Sequence, residues 1–331
     1  MSNQTPTELQ AGWRYRRRAR LAALRISLVV PTLFGMSVLV FAVGRASLLS
    51  PGISALGFFA TAEAKANFAA RFHLNEPLVT QYWIWLKGAI HGDFGVSFIT
   101  RTSVGASVRS GLVVTATLAI GAIIIAATLG IVLGTVGGLG RWPLLSRLIS
   151  SGSLLGVSVP QFWLGLVLLL LLTVRLQLLP GGGYVPFASD PGGFLKSMAL
   201  PWITLAVAPA GLIARVTQVR VAEESVKPHV LTARSLGVSQ GRIVRRYILR
   251  NALSEPLTVI GIQVGYMLGG AFLVEQVYNL PGLGQIALTA VRQSDYPIVQ
   301  AVALYTTLAF LVVNLVVDLA QMLLDVRVEA A

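Results

Sequence analysis

Few residues in this chain are equipped for chemistry. Its 331 residues include 13 Asp and Glu, three His and no Cys. The histidines, His73, His91 and His229, all fall outside the long apolar runs. The serine in Gly156-Val157-Ser158 therefore has no base within reach, and a serine hydrolase inside a membrane is not expected. No His, Asp or Glu cluster has metal-ligand spacing, and the lack of Cys removes thiolate ligands and disulfides. No Gly-x-x-x-x-Gly-Lys-[Ser/Thr] run occurs, and the one Gly–Lys neighbour pair, Lys87-Gly88, is in the wrong order. Without that cradle of backbone N–H groups and its lysine, the chain is not expected to hydrolyse ATP itself. Two acids near the ends of apolar runs remain, Glu275 and Asp318, and ionisable groups in lipid are costly and usually functional. Two readings are open for Glu275: pairing with a cationic group at an outer gate, or accepting N–H bonds from the Tyr278–Gly284 turn. Asp318 either lines a path or bonds at a helix interface. An ion-gradient-driven secondary transporter is the alternative that these two acids keep open.

The elements that must position such residues are membrane spans. The chain is 55% hydrophobic and 12% charged, with mean hydropathy +0.74. Soluble domains carry about 25% charged residues, so a soluble globular enzyme and a disordered chain are both excluded. A span needs about 20 mostly apolar residues. Six runs meet or approach that length: Ile26–Gly44, Leu112–Gly140, Leu148–Val174, Ser197–Ala214, Pro256–Val274 and Tyr296–Val317. The fourth is short and carries Pro201 and Pro209, so it is extended toward Val226. The runs are continuous rather than alternating, which excludes a β-barrel. The fold class expected is an all-α membrane protein of six transmembrane helices. Ile26–Gly44 is too long for a signal-peptide core, and no A-x-A-like site follows it, so it is read as an uncleaved first span.

Net charge is +13, and its distribution sets orientation. With the N-terminus in the cytoplasm, 17 of the 26 Lys and Arg fall on the cytoplasmic side, including the cluster from Arg14 to Arg25 and the run from Arg215 to Arg250. The positive-inside rule then puts both termini in the cytoplasm. Residues 1–25 form a basic cytoplasmic N-terminus whose arginines are read as orienting the chain, with binding of anionic lipid the alternative for Arg14–Arg20; 26–331 form the permease domain, and 45–111 an outer segment. Within that segment Pro77 opens Leu78–Ile90, where Tyr82, Trp83, Trp85 and Leu86 suit either a helix at the membrane interface or packing against the spans.

The inner loop, 222–255, carries the most information. Pro228 suits the first turn of a helix, Gly237 its left-handed end, and Ser239 the cap of a second helix. Ile243, Val244, Tyr247 and Ile248 form an apolar stripe beside Arg242, Arg245, Arg246 and Arg250. Ala233-x-x-x-Gly237-Val238-Ser239 also fits a DNA-binding turn. Spans on both sides keep it from any major groove, so no nucleic acid is expected.

This loop resembles the E-A-A…G loop of ABC-importer permeases. Thr232 and Ala233 stand at its two alanines and Gly237 at its glycine, while Leu231 replaces the glutamate. Leu249–Leu253, Val274–Gly284, Asp295–Gln300, Val313–Leu319, His91–Ser97 and Ser158–Gly165 resemble the "B" permease of the dipeptide, oligopeptide and nickel group. That resemblance implies a type I importer fold and a multi-pass protein of a bacterial inner membrane. It implies a homologous second permease, two ATPase domains that bind ATP and Mg, and an extracytoplasmic substrate-binding protein. The cargo it implies is di- or oligopeptides. Thr232, Ala233, Arg234, Gly237 and Ser239 become the expected ATPase-coupling residues. Ala233 is expected in close contact with a groove of the ATPase, and Glu275 and Asp318 at the gate or path.

Overall fold

The computed structural model describes residues 27–45, 60–140 and 143–324. Among them the only extended pairing is an isolated antiparallel bridge between Val96 and Ser103. The basic N-terminus, residues 46–59, Arg141 and Arg327 lie outside the described residues. In chain order the helices are α1 (Ser27–Arg45), α2 (Ala62–Arg71), α3 (Leu78–Ile90), α4 (Val104–Gly138), α5 (Pro143–Ser158) and α6 (Gln161–Leu168). A wide π-helical turn, Leu169–Arg175, prolongs α6. Next come α7 (Pro191–Ser225), α8 (Pro228–Ser235) and α9, which runs from Gln240–Arg242 through a π turn, Ile243–Ile248, into Leu249–Ala252. Then follow α10 (Ser254–Val277), α11 (Leu283–Arg292) and α12 (Tyr296–Leu324).

Five of these, α1, α4, α7, α10 and α12, are each long and apolar enough to cross a membrane. The expected third span, Leu148–Val174, is not one straight helix. It breaks between α5 and α6 with a bend of 104°, so these two helices make a sixth crossing only if the bent pair counts as one span. The cause is local: Pro160 takes an extended conformation (ψ 132°) and has no N–H to continue the α5 ladder. The fourth span matches its extended reading, with Pro201 and Pro209 both inside α7.

The chain divides into two compact units, 109–286, and 1–108 with 287–331. In the first, α7 is the central helix, with Met198, Leu200, Leu205 and Ile213 fully buried against α4, α5, α6 and α10. Gly130, Gly134 and Gly138 recur every fourth residue along α4. A methyl at these positions would lie 2.6 Å from Ile213 Cβ, 2.5 Å from Ala214 O and 2.5 Å from Gln218 O. Glycine is what lets the two backbones approach, as in small-xxx-small packing generally. Tyr278, fully buried, joins three elements: its hydroxyl bonds Thr204 Oγ1 at 2.8 Å and Gly165 O at 3.2 Å.

In the second unit, Asp295 is buried ahead of α12 and accepts from Ser97 Oγ and from Phe98 N at 3.0 Å. Two strings that carry the family resemblance, His91–Ser97 and Asp295–Gln300, thus meet at one carboxylate. Of the two readings of α3, packing against a span is seen: Tyr82 and Trp85 pack on Phe41 of α1, while Trp83 is exposed.

Candidate functional site

The loop after α7 folds as the sequence predicts, a helix pair closed by a tight turn. Pro228 opens α8 in its first turn, where a missing N–H costs nothing. The helix ends at Gly237, whose φ of +76° suits glycine. Gly237 N donates to Arg234 O at 3.0 Å and Val238 N to Ala233 O at 3.1 Å. That pair of bonds is the Schellman arrangement, which satisfies carbonyls a helix end leaves free. Ser239 sits at the N-cap position of α9, but its side chain makes no capping bond; only its carbonyl is used, by Ile243 N at 3.0 Å.

One face of each helix is spent on the other. Val230 and Ala233 of α8 pack with Ile243, Ile248 and Ala252 of α9 and with Val221 of α7. Fully burying a side chain such as Val230 or Ile248 stabilises the pair by about 1.5–3 kcal/mol. The π turn at Ile243–Ile248 is six residues long, a feature frequent at functional positions. The predicted apolar stripe of α9 faces this core, and Arg242, Arg245, Arg246 and Arg250 are all exposed.

Ala233 departs from its expected role. It is 4% exposed, enclosed by this chain's own Val221, Val230 and Ile243 cluster, so it does not offer its methyl to a partner's groove. The i to i+4 spacing that placed it one turn before Gly237 also turns it inward. Outward on α8 are Leu231 (48% exposed), Thr232, Arg234, Ser235 and, just past its end, Leu236 (78%). Their hydroxyls are occupied locally, Thr232 Oγ1 on Pro228 O at 3.0 Å and Ser235 Oγ on Leu231 O at 3.2 Å.

Glu224 was missed in the sequence. It is 4% exposed in the last turn of α7 and holds the helix pair to that span. Asn251 Nδ2 donates to its Oε1 at 3.0 Å, His229 Nε2 lies 3.2 Å from the same oxygen, and Lys227 Nζ pairs with Oε2. One carboxylate thereby touches α7, the start of α8 and α9. The signal was present: among 13 acids, the pair Glu223-Glu224 closes a helix that carries no other acid, just ahead of Lys227 and His229. Beside it, Arg220 pairs with Glu223 at 2.8 Å and with Glu255 at the start of α10. Farther up α7, Gln218 accepts from Ser150 at 3.0 Å and donates to Ser146 Oγ at 2.9 Å, which ties α7 to α5.

The other two expected residues belong to other elements, Glu275 to α10 and Asp318 to α12. Glu275 is fully buried, and its carboxylate accepts from Thr115 Oγ1 (2.6 Å), Gly284 N (2.7 Å) and Gln285 N (3.3 Å). It caps the start of α11, where a negative group is favoured. Of its two readings, the geometry is that of the turn. A methyl on Gly282 would collide with the same carboxylate, which explains the glycine inside Tyr278–Gly284. Asp318 is half-buried on α12 and is engaged in an interaction of its own.

Residues 126–330 match the family model described as the binding-protein-dependent transport system inner membrane component. A peptide transport system permease protein of Brucella abortus is 34% identical over 305 residues, covering 92% of this chain and 97% of its own length. The glutathione transport system permease protein of Escherichia coli is 34% identical over 292 residues, covering 88% of this chain and 92% of its own. These likenesses leave no support for an ion-gradient transporter. The chain belongs to the binding-protein-dependent transport system inner membrane components, as a membrane permease of an ABC transport system.

Proposed function

We propose that this permease carries di- or oligopeptides, glutathione-like peptides among them, and that α8 is the element through which an ATPase drives it. The cargo reading rests on the peptide and glutathione transport systems for which the relatives are named. The coupling reading rests on one observation: a short helix with its inner face fully packed leaves Leu231 and Leu236 exposed on the other side. Exposed apolar anchors with the exposed Arg234 on the same short helix suit a helix seated in a partner groove. Thr232 and Arg234 contribute to the outward face; Ala233, Gly237 and Ser239 shape the pair; Glu224 passes its movement to α7. The remaining partners in this reading are a homologous permease, two ATPase domains holding ATP and Mg, and an external binding protein. Both termini lie on the ATPase side, in the cytoplasm of a bacterial inner membrane, which follows the Lys and Arg asymmetry.

Leu236→Glu tests the proposal. The position is exposed, so the chain is expected to insert at normal abundance while co-purification of the ATPase and peptide uptake fall at least about tenfold, equivalent to about 1.4 kcal/mol of docking. Undiminished association and uptake would remove α8 as the docking element.

A further inference from the structure

The outward stripe of α10 turns polar at the depth where a lipid-facing helix is apolar. Glu255 and Glu275 stand 20 residues apart near its two ends, and no residue between them is charged. At about 1.5 Å per residue that stretch is about 30 Å long, about the thickness of a hydrocarbon core. Tyr266 lies eleven positions after Glu255 and nine before Glu275, next to the midpoint. Gly261, Gly265, Met267, Ala271 and Val274 are buried on the inner face. Ile262, Tyr266, Gly269 and Leu273 are exposed, at steps of four, three and four, which makes one stripe along the helix. Tyr266 is 73% exposed, although tyrosine favours the membrane–water interface over mid-span.

Two glutamines stand beside this stripe. Gln263 is half-buried, one turn before Tyr266. Gln161, the first residue of α6, rests its amide on Gly270, where a methyl would lie 2.5 Å from Gln161 Oε1. Among the described residues, neither amide nor the Tyr266 hydroxyl has a hydrogen-bond partner. Tyr278, just past the end of α10, shows the contrast: its hydroxyl bonds Thr204 and Gly165 O inside the core. The neighbouring outward faces are apolar. α6 exposes Phe162, Trp163 and Leu166, and α4 exposes Ile120, Ile124, Leu129, Val132 and Leu133, with Thr128 the one polar side chain among them. Open amides and a hydroxyl at mid-depth are costly against hydrocarbon and are tolerated where a helix lines a water-filled cavity.

We propose that Tyr266, Gln263 and Gln161 line the water-filled path at mid-membrane and hydrogen-bond the main chain of a passing peptide. The path itself rests on the chain being a permease; the main-chain contact rests on the proposed peptide cargo. Amides and a phenol hydroxyl each donate and accept. They therefore match peptide N–H and C=O groups whatever side chains the peptide carries. The stretch between Glu255 and Glu275 offers no fixed ion to hold either end of the peptide. Such binding lets a solute leave as readily as it enters. Gly269, exposed and with nothing within 4 Å of where its Cβ would stand, leaves width beside Tyr266 for that main chain.

The chain has no native cysteine, so single cysteines read the path directly. Gln263→Cys and Tyr266→Cys are compared with Ile124→Cys of α4 and Leu166→Cys of α6. Each is made in the assembled complex in lipid vesicles, with partner cysteines replaced by serine. A charged, water-soluble methanethiosulfonate on both sides should label 263 and 266 at least about tenfold faster than 124 and 166, because thiolate forms only where water reaches. Equal rates at all four would overturn the proposal, and uniformly slow ones would put lipid or another helix over the stripe. Tyr266→Phe keeps the ring and removes only the hydroxyl, so uptake of a radiolabelled alanine tripeptide per complex should fall several-fold. Unchanged uptake would overturn the main-chain contact. The labelling needs no peptide: if the wild-type complex takes up none, the cargo reading fails, while rapid labelling at 263 and 266 still supports the path.

Discussion

Glu224 and Glu275 are both buried carboxylates near the ends of long apolar helices, yet they do different work. Glu275 is satisfied by backbone N–H groups within ten residues of itself and by one threonine. The two N–H groups belong to a single turn, and the threonine, Thr115, holds that turn to α4 within the same packed core. Glu224 is satisfied by side chains from the start of α8 and from α9, and by the lysine between α7 and α8. A buried charge near a span end is therefore not by itself a sign of a transport path. What distinguishes the two is that Glu275 is held mainly by backbone N–H groups of one turn, whereas every partner of Glu224 is a side chain of the loop helices or of the residue that leads into them.

The largest effect that would sharpen this contrast is expected at Ala233. Ala233→Glu puts a carboxylate among Val221, Val230 and Ile243 with no cation in that cluster, at a cost of several kcal/mol. The loop itself should open, so limited proteolysis would cut between α8 and α9 and the ATPase would be lost with it. A protease-resistant loop that merely fails to bind would instead mean that Ala233 faces the partner. Next in size is Glu275→Ala, which strands the Thr115 hydroxyl and the Gly284 and Gln285 N–H groups. Each buried orphan costs about 1–3 kcal/mol. The thermal midpoint of the purified complex should fall, with transport per folded molecule unchanged. Loss of peptide transport at unchanged stability would return Glu275 to the gate. The smallest is Glu224→Gln, which keeps an acceptor for Asn251 and removes the charge that Lys227 and His229 face. Assembly should persist while uptake per ATP hydrolysed falls, and Glu224→Asp should restore part of it. An unchanged ratio would reduce Glu224 to a brace like Glu275.

Much of the fold could be read from the sequence because lipid imposes a simple length rule. The run Ile26–Gly44 became Ser27–Arg45, and Leu78–Ile90 formed as read, since Pro77 fixes its start. Pro228 and Gly237 bracketed α8 because proline fixes φ for a first turn and glycine permits the positive φ that ends it. The break at Pro160 was not legible. Proline inside an apolar run is tolerated where neighbours accept the freed groups, as Pro201 and Pro209 are inside the continuous α7, so Pro160 by itself did not announce a break. The direction of Ala233 was hidden for a related reason. Motif spacing gives a position along a helix but not which side its neighbours cover. Glu224 escaped because its partners come from three elements whose meeting only the fold reveals.

The central claim, that α8 docks outward through Leu231 and Leu236 while Ala233 serves the chain itself, is tested most directly by photo-crosslinking. A photoreactive residue is placed in turn at positions 231, 233 and 236 of the intact complex, and the adducts are identified by mass. The account predicts ATPase adducts from 231 and 236, and from 233 only adducts within this chain. ATPase adducts from 233 with none from 231 or 236 would contradict it.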